Sequence, residues 1–243
     1  MILKTDAIVL KSFDFRETSR IATFFTKEFG KVSGILKGIR KDPRKFHSSL
    51  DRFSVNEIVY YQYRNSDLHL ISQCDLREFF FPVRQDIQRA TAASYVSELV
   101  NHMMPAEEKN EKVYQLMMDF LASLQSFEDI HQLVHMFQIK ILLYSGFKPH
   151  LDACVKCKRT ITQKARFSVN DGGMVCLDCP LNNTTVHFIS PDTVLLILDI
   201  EKTQWPQCLQ TRLTPRIKQE LKYVLNNFLI FHLGKKLKSA KYL

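Results

Sequence analysis

Apolar residues in the first eighty positions occur in short runs that favour β-strands. The runs are rich in β-branched and aromatic residues and cover positions 7–10, 21–25, 32–36, 54–61 and 68–72. Turn-prone residues separate them, at Asp14, around Gly30, at Asp42-Pro43 and at 65–67. Five strands in about eighty residues predict a small barrel, and the five-stranded OB barrel is the commonest of that size. A barrel that serves only as an interaction platform is the alternative.

Beyond Pro82 the apolar residues recur at helical spacing instead. This spacing predicts helices over 83–104, 112–124 and 129–144, the last one stopped by Gly146. Ser190-Pro191-Asp192 is a start signal for a helix over 194–199, and Thr214-Pro215 is one for a long helix through about Lys238. We expect the first three helices to form a compact bundle.

The pattern as a whole predicts an α+β protein: an N-terminal five-stranded OB-fold barrel, then an all-α helical domain with an inserted four-cysteine zinc ribbon. The expected domains are the barrel at 1–80, the bundle at 81–150, the ribbon at 151–184, and C-terminal helices at 185–243 that pack on the bundle. A run of about 18 apolar residues and a secretory signal are both missing, so we expect a cytoplasmic, nucleoid-associated protein with no membrane contact.

Four of the six cysteines have the spacing of a metal site. Cys154 and Cys157 form one C-x-x-C pair, Cys176 and Cys179 form another, and 18 residues separate the pairs. Two residues between cysteines let both thiolates of a tight turn reach one tetrahedral ion. The segment between the pairs holds Phe167-Ser168-Val169 and a turn at 170–173, which predicts a β-hairpin. We therefore predict a structural zinc ion held by these four thiolates.

Other uses of these cysteines are weaker hypotheses. A redox C-x-x-C belongs between a strand and a helix in a thioredoxin-like unit, and neither pair has that setting. Disulfides are rare in a reducing cytosol, and four thiolates leave a zinc ion no open position for catalysis. Cys74 and Cys208 stand alone and are predicted to be ordinary buried residues.

Positive charge is concentrated at the two ends of the chain. The net charge is +9; residues 1–80 carry 14 basic and 10 acidic side chains, and residues 202–243 carry nine and one. The interval 31–52 combines basic residues with Gly34, Gly38 and Pro43 and is predicted to be a flexible loop between strands. Cationic side chains on backbone that can approach closely suit phosphate contacts. Nearby aromatic residues (Phe46, Phe53, Tyr60, Tyr61, Tyr63) either stack on bases or, as we favour, fill the barrel.

Motifs for common catalytic sites are missing, including a P-loop, a dinucleotide-binding glycine pattern and H-E-x-x-H. A binding protein is therefore favoured over an enzyme. The rival hypotheses are a zinc-ribbon enzyme that processes nucleic acid, such as a nuclease or an RNA-modifying protein, and an RNA- or ribosome-associated interaction protein.

Several segments in order resemble the RecO family of bacterial DNA-repair mediators. They are Ala7-Ile8-Val9-Leu10, then Glu17 to Ile21, Phe24 to Lys31, Lys37 to Lys41, Tyr144 to Pro149 ahead of Cys154, and Leu233-Gly234 followed by lysines. The resemblance covers nearly the full length of the chain. It implies an OB-fold, a helical domain and an inserted zinc module.

The resemblance also implies a function. Such proteins bind single- and double-stranded DNA, anneal complementary strands, and work with RecR to load RecA on strands covered by single-strand-binding protein, whose acidic C-terminal tail they contact. Carried over to this sequence, DNA contact falls to Arg20, Lys31, Lys37, Arg40, Lys41, Arg44 and Lys45.

Overall fold

The computed structural model of the chain describes residues 1–42, 46, 50–161, 165–181 and 187–243. These residues form two compact units, Met1–Ile130 with Leu237–Leu243, and His131–Lys236. The four-part domain division expected from the sequence stays a prediction. Within the described residues, none of the helices has both the length and the apolar character needed to cross a membrane.

The first unit begins with five strands that close into a barrel. They are β1 (Ile2–Phe15), β2 (Ser19–Thr26), β3 (Gly30–Leu36), β4 (Val55–Tyr61) and β5 (Leu68–Glu78). The strand order is β1-β2-β3-β5-β4, with β1 paired to β4, and only the β3–β5 pair is parallel. Burial alternates residue by residue along β3, as expected of a strand with one face in the core. The predicted OB-type barrel is confirmed.

Strand β1 is long enough to pair with two neighbours. Its first half runs against β4 from Ile2 opposite Tyr61, and its second half continues against β2 as far as Phe15 opposite Ser19. The register with β2 shifts between Val9 and Lys11, which marks a β-bulge. A bulge bends a strand sharply and so lets β1 take part in both sides of the barrel.

The barrel core explains most of the aromatic residues near the basic loop. Phe46, Phe53 and Tyr60 are buried, as predicted, whereas Tyr61 and Tyr63 remain exposed. Cys74 is buried in the same core, and Cys208 is buried in the second unit, which confirms both predictions.

Three helices complete the first unit: α1 (Phe81–Gln85), α2 (Ile87–Met103) and α3 (Glu111–Ser123). The single helix predicted over 83–104 is wrong, because Asp86 interrupts it. The Asp86 carboxylate accepts hydrogen bonds from the backbone N–H groups of Gln88 and Arg89 and so starts α2 as its N-cap. A short 3-10 helix at Ser239–Tyr242 returns to this unit, where Glu98 on α2 accepts from the Lys238 and Ser239 amides.

The second unit holds the remaining elements. They are α4 (Ile130–Tyr144, whose first residue belongs to the first unit), β6 (Ala165–Ser168), β7 (Gly173–Val175), β8 (His187–Ile189), α5 (Pro191–Lys202), α6 (Trp205–Cys208) and α7 (Pro215–Leu233). The hairpin predicted between the cysteine pairs is confirmed as β6–β7, and β8 pairs with the other edge of β6. Helix α7 ends at Leu233 rather than near Lys238, because Gly234 takes a left-handed conformation.

Helix α5 is capped differently from what the sequence indicates. The Ser190 side chain makes no capping hydrogen bond to the helix. Instead the Glu220 carboxylate, from α7, accepts from the Ser190 N–H at 2.9 Å and from the hydroxyls of Ser190 and Thr193 at 2.7 and 2.6 Å. Burial opposes ionisation of Glu220, yet these donors and Arg216 outweigh it and lower its pKa to about 2. An ionised carboxylate at a helix N-terminus is also favoured by the helix dipole.

Glu220 therefore makes the second unit sensitive to acid. Its folded pKa lies below the unfolded value of about 4.3, so its stabilisation is present above that value and is lost as the pH falls toward 2. We expect Glu220→Gln to lower the free energy of unfolding by about 2 kcal/mol at pH 7, with the difference from wild type shrinking between about pH 5 and pH 2. Fluorescence of Trp205, the single tryptophan and a buried residue of this unit, reports the unfolding.

Asp192→Asn is the matched control, since Asp192 is an exposed carboxylate in the first turn of α5, the helix that Glu220 caps. We expect it to change stability far less than Glu220→Gln at pH 7. A Glu220→Gln effect that stayed constant down to pH 2 would contradict this account.

Candidate metal centre and nucleic-acid interface

The four predicted cysteine ligands come together in the second unit. Their sulfur atoms all lie within 4.8 Å of one another. The Cys154 and Cys179 sulfurs are 3.9 Å apart, and the Cys157 and Cys176 sulfurs are 3.7 Å apart. A tetrahedral ion with metal–sulfur bonds of about 2.3 Å places its sulfurs about 3.8 Å apart. The cluster can therefore hold one metal ion, and its distances are far longer than a disulfide bond.

Backbone hydrogen bonds fix the two cysteine turns against the β6–β7 hairpin. The Lys158 N–H donates to the Cys154 carbonyl at 2.9 Å, which closes the first turn. The Val155 N–H donates to the Met174 carbonyl on β7 at 2.9 Å, which attaches that turn to the hairpin. The Cys176 N–H points at the Cys154 sulfur, 3.4 Å away. Such amides stabilise thiolate charge and orient the ligands.

Two arginines support the cluster, and the sequence analysis missed both. Arg159 Nε donates to the Cys157 sulfur at 3.4 Å. Arg166, on β6, donates from Nη2 to the carbonyls of Cys176 and Cys179 at 2.6 and 2.5 Å, which fixes the second turn. The available signal was the position of Arg166 on the first strand of the hairpin that leads to the second cysteine pair, opposite Val175.

The pKa values of the cysteine thiols indicate what kind of ion fits the cluster. Burial opposes ionisation of Cys154, yet the amides of Cys157, Cys176 and Lys156 lower its pKa to about 6. The hydrogen bond from Arg159 lowers the pKa of Cys157. The hydrogen bond with Cys176, and then burial, raise the pKa of Cys179 to about 12. Four crowded sulfurs ionise together only beside a cation, so this donor set suits a thiophilic metal ion.

The basic residues predicted for DNA contact meet in part at one end of the barrel. Arg20, on β2, and Arg40, after β3, both form ion pairs with Asp14, with N–O distances of 3.2 and 3.3 Å. The Arg40 N–H also donates to the Thr18 carbonyl, and its guanidinium donates to the Arg16 carbonyl. The turn between β1 and β2 is thereby joined to the segment 37–41. We call Arg16, Arg20, Lys37, Arg40 and Lys41 the cationic pole.

The sequence analysis missed two members of this arrangement. Arg16 lies in the β1–β2 turn with φ +54, and Asp14 holds two guanidinium groups at once. In OB-fold barrels, the loop between the first two strands commonly contacts the ligand. The position of Arg16 in that loop was the signal for it. Asp14 gave no signal, because only the fold brings Arg40 next to it.

Lys31 lies elsewhere and is not part of a loop. It belongs to β3, opposite Phe25 on β2, roughly 16 Å along the strand from Leu36. Its ammonium group donates to the Asn101 carbonyl on α2 at 2.7 Å. Burial, and then the nearby charge of Lys11, lower its pKa. The prediction that Lys31 belongs to a flexible basic loop is wrong, because the strand pairing begins at Gly30. Arg44 and Lys45 lie outside the described residues.

An apolar row crosses the outer face of the barrel. Phe13 is paired with Ile21, and Ile21 is paired with Ile35, on three neighbouring strands. The adjacent residues Ala22 and Leu36 point into the core, so Ile21 and Ile35 face outward. The Phe13 side chain is half exposed. The sequence analysis missed Phe13 as a possible stacking surface.

Comparisons with known proteins agree with this architecture. The family model described as Recombination protein O N terminal matches residues 1–80, and the one described as Recombination protein O C terminal matches residues 84–241. The chain belongs to the RecO family. The resemblance found in the sequence is thereby confirmed over nearly the whole chain.

Relatives with the name DNA repair protein RecO come from several bacteria. The protein from Desulforamulus reducens is 30% identical over 243 residues, which covers 100% of this chain and 94% of the relative. The protein from Alkaliphilus metalliredigens is 29% identical and covers 97% and 95%. The protein from Caldicellulosiruptor bescii is 35% identical over 182 residues, 75% of this chain and 74% of the relative.

The cluster geometry predicts the outcome of losing one sulfur. We expect Cys176→Ser to lower the metal content from about one ion per chain toward zero and to destabilise the protein, because the three remaining sulfurs and a hydroxyl bind a thiophilic ion poorly. Elemental analysis of the purified protein and thermal unfolding measure the two effects. Cys208→Ala, which removes a buried cysteine outside the cluster, should keep the metal. Equal metal content in both variants would rule out the assigned ligands.

Proposed function

We propose that this RecO-family protein is a mediator of DNA repair and homologous recombination. In this proposal it binds single- and double-stranded DNA and anneals complementary strands. With RecR, it promotes RecA loading on single strands coated with single-strand-binding protein, whose C-terminal tail it contacts. The observation that carries DNA binding is the cationic pole, in which one carboxylate holds Arg20 and Arg40 side by side at the end of the barrel.

The cationic pole suits phosphate groups for an electrostatic reason. Five basic residues lie on the two segments that meet there, and Asp14 orders two of them. Guanidinium groups that are already ordered lose less entropy when they bind an anion, and their planar fork matches a phosphate. Contacts of this kind do not depend on base sequence. A DNA-repair protein needs this property because breaks occur in any sequence.

Annealing follows from the same properties without covalent chemistry. Two strands repel each other through their phosphates, and a cationic surface that contacts both backbones lowers that repulsion. The bases stay accessible for pairing, since the contacts are to the backbone. The half-exposed Phe13, on the outer face of the barrel, can stack on an unpaired base, which favours single strands over duplex.

For the cysteine cluster we propose zinc in a structural role. Four thiolates fill a tetrahedral zinc site and leave no position for water, so the ion would stabilise the ribbon without taking part in a reaction. The four expected domains, 1–80, 81–150, 151–184 and 185–243, are likewise part of this proposal.

Removing cations from the pole tests DNA binding. We expect Lys37→Ala with Arg40→Ala to weaken binding of single-stranded DNA about tenfold and to make the slope of log K against log salt shallower by about 1.4, the value for two lost phosphate contacts. Fluorescence anisotropy titrations at several salt concentrations measure both quantities.

Lys109→Ala with Lys112→Ala is the matched control. It removes the same charge from exposed lysines at the start of α3 in the same unit. We expect its slope to equal that of wild type. A slope unchanged in the Lys37/Arg40 variant would exclude the pole, and tighter binding to structured RNA than to DNA at matched salt would favour the RNA-associated alternative.

A further inference from the structure

Two helices of the second unit end beside each other and leave aromatic rings at the surface. Phe147 follows α4, and Phe231 and His232 are in the last turn of α7. The centroid of the His232 ring lies 5.0 Å from that of Phe147 and 5.5 Å from that of Phe231. It also lies 4.4 Å from that of Phe228, which is buried and anchors the group. We call Phe147, Phe231 and His232 the aromatic platform.

The platform is exposed although it is apolar. Phe147 is 42% exposed and Phe231 is 50% exposed. A single exposed phenylalanine needs no explanation, but contiguous aromatic rings at a surface mark a binding site, particularly where polar residues surround them. Partial burial lowers the pKa of His232, which favours the uncharged ring as part of the aromatic surface.

Three lysines adjoin the platform residues in the chain. Lys148 follows Phe147 directly, and Lys235 and Lys236 follow the end of α7. Lys148 lies 3.6 Å from Glu201, whereas within the described parts of the chain neither Lys235 nor Lys236 forms an ion pair with a carboxylate. Cations near the end of α7 complement its dipole, but that role requires no aromatic rings.

Exposed rings with cations next to them match the chemistry of one ligand. Single-stranded nucleic acid has unpaired bases that stack on aromatic side chains and phosphates that contact lysines. A duplex has no free base faces to offer, so it would use only the lysines. We propose that the aromatic platform with Lys235 and Lys236 is a second site for single-stranded nucleic acid, separate from the cationic pole.

A second site has a consequence for annealing. A protein with one site for each of two strands brings them together on a single molecule, which raises their effective concentration. This inference rests on the proposed function, because it assumes that the chain binds nucleic acid at all. The experiment must therefore separate the loss of stacking at the platform from the loss of all binding.

The test compares two strands of equal length on the full chain: oligothymidine, which has bases, and an abasic oligonucleotide, which has only the sugar–phosphate backbone. In wild type we expect oligothymidine to bind about tenfold more tightly at one salt concentration. Phe147→Leu with Phe231→Leu should reduce that ratio about threefold or more and leave binding of the abasic strand unchanged, because the lysines remain. Phe147→Tyr with Phe231→Tyr should restore the ratio.

Phe188→Leu is the matched control. Phe188 is 49% exposed in the same unit, on β8. Its neighbour His187 stacks on Tyr223 of α7, so Phe188 points to the opposite face of the sheet, away from α7. We expect this variant to keep the wild-type ratio. The Lys37→Ala, Arg40→Ala variant should weaken both strands to the same extent.

Each outcome decides between the hypotheses. An unchanged ratio in the Phe147/Phe231 leucine variant overturns the second site while leaving the cationic pole intact. Failure of wild type to bind either strand overturns both proposals. If the leucine variant instead loses affinity for an aspartate-rich peptide and keeps the oligothymidine ratio, the platform is a protein-docking surface and the nucleic-acid site is rejected.

Discussion

The antiparallel β1–β2–β3 meander of the N-terminal barrel is the constraint on which the proposed nucleic-acid interface depends. Asp14 on β1 lies opposite Arg20 on β2, and Arg20 in turn lies opposite Leu36, the last residue of β3. The β1–β2 turn therefore meets the segment after β3, so that Arg20 and Arg40 reach the same carboxylate. The residues of the cationic pole span positions 16 to 41 in the sequence and become one surface only through this topology.

The second unit has a different physical basis. Its ribbon has short strands, and the four cysteine sulfurs occupy a space in which their charges need a cation. The same hairpin packs on α7, where Phe167 contacts Phe228 edge to face. Phe228 in turn supports His232, so the ribbon with the cysteine cluster, the long helix and the aromatic platform form one packed series of contacts. A loss of metal is therefore expected to affect the helix as well as the ribbon.

The sequence predicts the parts of this protein whose physics is local. Alternation in β3, the C-x-x-C spacing and the hairpin turn between the cysteines all depend on near neighbours, and the structure agrees with each. Two predictions failed because a distant residue decides. Glu220 replaces the expected serine cap of α5, and the β2 pairing of Lys31 takes it out of the basic loop. Asp86 and Gly234 changed helix limits, because polar caps and left-handed turns compete with helical periodicity.

Hydrogen exchange of the full chain with and without a single-stranded oligonucleotide tests the central claim most directly. The claim is that phosphates bind where the β1–β2 turn meets the segment after β3. With the oligonucleotide at saturation, we expect slower exchange of backbone amides at 16–20 and 37–41 and no change in β4, on another side of the barrel. Saturated binding with unchanged exchange in both segments would contradict the account.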